Sequence, residues 1–80
     1  MIFEEKIKEV IQNYNLGNFI KAESLVKRLL TRNSKDYQLC NIYGLILLKL
    51  RKTEGAISYF QKSIHIESNF FDAHFNLLKS

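Results

Sequence analysis

The chain has 80 residues, 46% hydrophobic and 25% charged, which makes one small domain and excludes a disordered tail. With no proline, three glycines and the single Cys40, it excludes a turn-rich all-β domain and an internal disulfide. The net charge of +4 comes from scattered Lys and Arg rather than one basic block, so it names no acidic partner by itself.

The opening residues Met1-Ile2-Phe3-Glu4-Glu5 turn acidic at once, unlike the basic-then-apolar order of a secretory signal. Apolar residues then recur at helical spacing, Ile7, Val10, Ile11 and Tyr14, and predict a helix over 2–15. Gly17 suits the left-handed residue that ends a helix, and Asn18 suits an N-cap. A second helix is expected over 19–32, with Ala22, Val26, Leu29 and Leu30 inward. The basic cluster Lys27, Arg28, Arg32 and Lys35 falls at its end, where positive charge complements the helix dipole. No aromatics interleave with that cluster, so nucleic-acid binding is not expected.

The third helix is expected over 36–50, carried by Cys40, Tyr43, Gly44 and Leu47. Its apolar run Leu45-Ile46-Leu47-Leu48 is too short to cross a bilayer. Thr53 suits the N-cap of a fourth helix over 53–66, with Ala56, Phe60, Ser63 and Ile64 inward. A fifth helix over 71–79 completes an all-α chain. Lack of a signal or a span leads to the expectation of a cytoplasmic protein that does not contact membrane.

Two stretches align at a step of 34 residues: Ala22 falls on Ala56, Ser24 on Ser58, Ser34 on Ser68, Leu30 on Ile64 and Tyr37 on Phe71. Residues 1–80 therefore form one domain, with repeat 1 at about 2–35, repeat 2 at about 36–69 and a partial repeat 3 at about 70–80. The same step puts Lys6, Glu9 and Asn13 into core positions of the first helix. Sliding that helix by one residue puts Ile7, Val10, Ile11 and Tyr14 there, which implies a one-residue deletion before Gly17.

Cys40, Tyr43-Gly44 and Leu47, then Ala56, Phe60 and Ser63 on the next helix, resemble the tetratricopeptide repeat, and Ser68-Asn69 stands where that family often has Pro-Asn. Gly17-Asn18-Phe19 followed by Ala22 is similar to the family's Gly-Asp-Tyr-x-x-Ala turn, and residues 72–77 resemble the start of a third unit. The resemblance implies an alpha-alpha superhelix in which small residues (Ala22, Gly44, Ala56, Ser63) allow close helix contacts. It also implies a concave groove lined by Glu5, Lys8, Gln12, Asn41, Leu45, Leu48, Lys49, Asp72, Phe75 and Lys79, binding a peptide or a partner helix. Some relatives grip a C-terminal carboxylate there. Lys8 and Gln12 sit where part of that set would lie, but Asp72 and Asn76 replace its later basic residues.

No catalytic constellation, metal site or cofactor is expected. His65, His74 and Cys40 match no zinc spacing, and Cys40 in a core position acts as a small hydrophobe. No Gly-rich phosphate loop occurs. The groove reading has two rivals: a self-associating structural or docking arm, and the N-terminal regulatory region of a larger enzyme such as a transferase. Repeat arrays are usually closed by a polar-faced helix, whereas Phe70, Phe71, Phe75, Leu77 and Leu78 make the last segment apolar. A homodimer through that end is therefore expected.

Overall fold

The computed structural model describes residues 2–80 and shows five helices: α1 (Ile2–Asn15), α2 (Phe19–Arg32), α3 (Tyr37–Lys49), α4 (Thr53–Ile66) and α5 (Phe71–Lys79). No strand occurs among the described residues, and no helix is long and apolar enough to cross a membrane. The connections are short, so each helix folds back against its predecessor. α1 packs on α2, α2 on α3, α3 most extensively on α4, and α4 on α5, with a smaller contact between α3 and α5.

The 34-residue step governs the backbone as well as the side chains. At the end of α1, Leu16 N–H donates to Gln12 O at 3.0 Å, Gly17 N–H to Tyr14 O at 3.1 Å and Asn18 N–H to Asn13 O at 2.8 Å. At the end of α3 the same three bonds join Leu50 to Ile46 at 3.0 Å, Arg51 to Leu48 at 3.0 Å and Lys52 to Leu47 at 2.8 Å. Each set is a helix stop built around one left-handed residue. That residue is Gly17 (φ 83°) in the first turn and Arg51 (φ 63°) in the second. The turns after α2 and α4 match likewise: Asn33 N–H donates to Leu29 O and Asp36 N–H to Asn33 O, as Glu67 does to Ser63 and Phe70 to Glu67.

This agreement corrects the inferred deletion. α1 is continuous and its closing turn is in strict step with that of α3, so Val10 occupies the place of Gly44 and both are buried. Ile7 and Tyr14 are half-buried, while Ile11 is 41% exposed. Lys6, Glu9 and Asn13 do stand where Cys40, Tyr43 and Leu47 stand in α3. They are polar without cost because Lys6 stays exposed and Glu9 and Asn13 are only partly buried. Lys6 Nζ instead pairs with Glu9 at 3.7 Å, and Asn13 Nδ2 donates to Glu9 O at 2.8 Å.

Capping also differs from expectation. Asn18 precedes α2 but its side chain caps nothing; its amide faces Asn13 Oδ1 at 3.4 Å. Thr53 is already helical, and Lys52 stands at the N-cap of α4. Asp36 lies just outside α3 and caps it, accepting from Leu39 N–H at 3.1 Å. An aspartate there also complements the positive end of the helix.

The core centres on α3. Leu39, Tyr43, Ile46 and Leu47 meet Val10, Ala22 and Val26 on one side and Ala56 and Phe60 on the other. Ala22, Gly44, Ala56 and Ser63 are all buried, as close helix approach requires. Ser63 is polar yet satisfied, because its hydroxyl donates to Tyr37 O at 2.7 Å. Between α2 and α3, Tyr43 O–H donates to Glu23 Oε2 at 3.1 Å, and Lys52 Nζ reaches the same oxygen at 3.4 Å. Burial and the Glu23 carboxylate push the Tyr43 phenol up to about 12.

Candidate protein-binding surface

One face of the molecule is a trough beside α1. Its apolar part is a recess of about 250 Å³ between α1 and α3, lined by Ile11, Tyr14, Asn15, Ile42 and Leu45. Its polar part is a wider depression of about 500 Å³ along α1, lined by Glu5, Lys8, Glu9, Ile11, Gln12 and Asn15. Ile11 and Asn15 line both, so the two form one continuous surface.

The helical period explains why both parts share this face. Lys8, Ile11, Gln12 and Asn15 recur at spacings of three and four, which align side chains along one side of α1. Ile42 and Leu45 do the same on α3. Leu45 and Leu48 are half-buried, packed against the core at their base and open above it. Lys49 lies beyond them and is exposed.

The residues expected to line a groove thus separate into groups. Glu5, Lys8, Gln12 and Leu45 come together in the trough. Asn41 is only 6% exposed and is engaged, since Asn76 Nδ2 donates to its Oδ1 at 2.9 Å across the α3–α5 contact. Asp72, Phe75 and Lys79 are exposed on α5, and Lys79 Nζ sits 5.0 Å from the centre of the Phe75 ring. Sequence reasoning misses Glu9, Asn15 and Ile42 as lining residues and puts Ile11 and Tyr14 in the core. The signal is present: the strict step lays Ile11 on Leu45 and Tyr14 on Leu48.

The basic cluster does not form one patch. Arg28 and Arg32 border a recess of about 440 Å³ with Phe3, Lys6, Leu25, Leu29 and Asn33. Lys27 borders a different one, of about 320 Å³, with Leu30, Thr31, Tyr43 and Tyr59. Spacing explains the split, since adjacent helical residues point about 100° apart.

Cys40 is buried, with its thiol 4.0 Å from Ser34 O. Burial pushes that thiol up, and Lys62 pulls the other way less strongly, which disfavours the thiolate. His65 and His74 are exposed on different helices. Among the described residues no three metal-type side chains gather. No protein-family model matches the sequence, and no curated protein matches it.

Proposed function

We propose that the chain is a tetratricopeptide-type superhelical module that holds a peptide or a partner helix in the trough beside α1. The observation that carries this reading is the trough itself. An apolar floor of Ile11, Tyr14, Ile42 and Leu45 is bordered by Glu5, Lys8 and Gln12, and an apolar patch within a polar rim is the usual anatomy of a binding surface. The 34-residue step in helix stops, turns and small-residue contacts supports the repeat assignment. On this reading the chain binds and does not turn over a substrate. The buried free thiol of Cys40 suits a reducing compartment such as the cytoplasm.

An amphipathic segment with two apolar side chains one helical turn apart would fill the recess. Lys8 and Glu5 would then orient it by charge. Selection from a random peptide library, followed by titration against variants, tests this. Ile11→Glu and Leu45→Glu should each weaken the selected peptides by about tenfold or more, since a charge would be buried without a partner. Leu78→Glu, on α5 and outside the trough, should leave them unchanged. Selected peptides that bind equally well to all three variants would sink the reading.

A further inference from the structure

α5 presents two unlike faces. Its inner face is used: Ala73 is buried, Leu77 packs against the core and Asn76 bonds to Asn41. Its outer face is a stripe of Phe71, Phe75 and Leu78, spaced four and three residues apart and exposed by 79%, 60% and 86%. These are three of the six most exposed large apolar side chains in the described residues. They leave roughly 400 Å² of apolar surface wet, at the size where a patch marks an interaction site.

The repeat shows what the stripe is shaped for. One step back, Phe71, Phe75 and Leu78 correspond to Tyr37, Asn41 and Gly44 on α3. Gly44 lies beneath Phe60 of α4, Asn41 bonds to Asn76 of α5, and the Tyr37 ring packs on Phe70 just before α5, so this side of α3 is covered by the elements that follow it. Nothing covers it on α5 among the described residues. Leu78 in place of a glycine would hold an α4-like helix away, whereas it suits a helix with large side chains of its own.

Charge selects the occupant. Asp72 and Lys79 flank the stripe on one side, two helical turns apart and at opposite ends, and neither belongs to an ion pair among the described residues. Laid antiparallel on a second α5, the stripe meets itself and each Asp72 faces Lys79 of the second copy. A parallel arrangement would set the Asp72 and Lys79 flank of each copy against the His74 flank of the other and leave both charges without an opposite partner. The pattern is therefore complementary to itself under a two-fold axis, the commonest symmetry of protein pairs. Antiparallel alignment also opposes the two helix dipoles favourably. On the other flank, His74 is engaged within its own chain, with Nε2 2.8 Å from Ser68 O.

We propose that α5 is a self-pairing helix: two copies of this chain join through Phe71, Phe75 and Leu78 packed antiparallel, with Asp72 of each copy against Lys79 of the other. The proposal is independent of the trough reading, because it uses a different face. Roughly 400 Å² from each copy is below the size of a standard specific interface, so the dimer is a weak one.

Sedimentation equilibrium of the full chain, from micromolar to near-millimolar concentration, tests it. Wild type should move from monomer to dimer. Asp72→Lys and Lys79→Asp should each lose about tenfold or more in dimer affinity, because each sets two like-charge pairs across the axis. An equimolar mixture of the two variants should regain the dimer, since the all-basic flank of one would then meet the all-acidic flank of the other. Leu78→Ser alters no charge at an exposed position and should also release monomers. Wild type that stays monomeric throughout would overturn the proposal and leave the stripe to a following segment or another protein. A wild-type dimer indifferent to all three variants, or a mixture no more dimeric than its components, would overturn it equally.

Discussion

Gly44 on α3 lies directly beneath the ring of Phe60 on α4. A methyl group at Gly44 would come within 2.6 Å of Phe60 Cδ1 and 2.9 Å of Cζ, closer than carbon atoms can approach. Glycine at this position is thus required by the partner helix rather than by the backbone, because the residue is helical and its φ is ordinary. Phe60 is fully buried, and its removal from water is worth about 2–3 kcal/mol. The close approach of α3 and α4 rests on this pair.

Gly44→Ala should therefore destabilise. Overpacking a filled site costs roughly 1–3 kcal/mol, against about 1 kcal/mol recovered in helix propensity. A net loss of up to about 2 kcal/mol is expected in urea unfolding. Gly44→Ala combined with Phe60→Leu should lose less than the two single losses added, because the smaller side chain relieves the clash. Strict additivity would show that the two residues do not meet.

The left-handed turns predict an effect of opposite sign. Arg51 holds φ 63° at the position where the first repeat has Gly17 at φ 83°. A side chain there costs roughly 1–2 kcal/mol, part of which glycine returns as unfolded-state entropy. Arg51→Gly should raise stability by about 0.5–1 kcal/mol, and Gly17→Arg should lower it by a similar amount. Thermal melts of both variants check the pair, and a destabilised Arg51→Gly would show that the arginine side chain makes up the difference.

Alkaline stability should report on Tyr43. Its phenol ionises near 10 in an unfolded chain and is pushed up to about 12 in the fold by burial and by Glu23. A raised value favours the protonated form in the fold. The stabilisation is thus fully present below about pH 10 and is lost as pH rises through about 12. The informative quantity is wild type minus Tyr43→Phe, which cancels whatever the two chains share. That difference should fall by about 1–2 kcal/mol between pH 9 and 12, and a constant difference would mean that Tyr43 is neither buried nor held against Glu23 as described.

Asn41 and Asn76 should be energetically coupled. Their side chains bond at 2.9 Å, and Asn41 is 6% exposed. Asn76→Ala leaves a nearly buried carbonyl oxygen without its donor, at about 1–2 kcal/mol. Asn41→Ala should cost a similar amount, and the double variant should fall short of the sum by about 0.5–1.5 kcal/mol in a thermodynamic cycle. Coupling near zero would mean that α5 is held by Ala73 and Leu77 alone.

The helices and the 34-residue step are legible in the sequence because both are written in side-chain size: Ala22 and Ala56, Gly44 and Phe60. The turns are legible only where a glycine marks them, so Gly17 is anticipated and Arg51 is not. Asn18 and Thr53 mislead because short polar side chains suit several positions around a helix start. The trough is half legible. Leu45 and Lys8 are anticipated, but Tyr14 and Ile42 are hidden, since apolar residues at helical spacing read as core whether or not another helix covers them. Asn41 reads as solvent-facing because its partner, Asn76, lies 35 residues away.

The misread register of α1 yields the last prediction. Lys6 and Glu9 stand where α3 carries Cys40 and Tyr43. On α3 those residues face the preceding pair: Tyr43 bonds to Glu23 on α2, and Cys40 lies against Ser34 in the turn after α2. Nothing corresponding to α2 or its turn packs on α1 among the described residues, so polar side chains are the stable choice there. Lys6→Leu together with Glu9→Tyr would restore the repeat's apolar pattern without providing a helix to cover it. Folded stability should change by no more than about 1 kcal/mol, because surface substitutions that gain no burial rarely do more. Solubility should fall, since the double variant joins Phe3 and Leu25 in one bare apolar patch beside Arg28. Thermal melts and light scattering on the same samples separate the two effects. A gain of about 2 kcal/mol or more in a monomeric double variant would mean that these side chains find cover within their own chain, and that α1 sits differently on α2 than described.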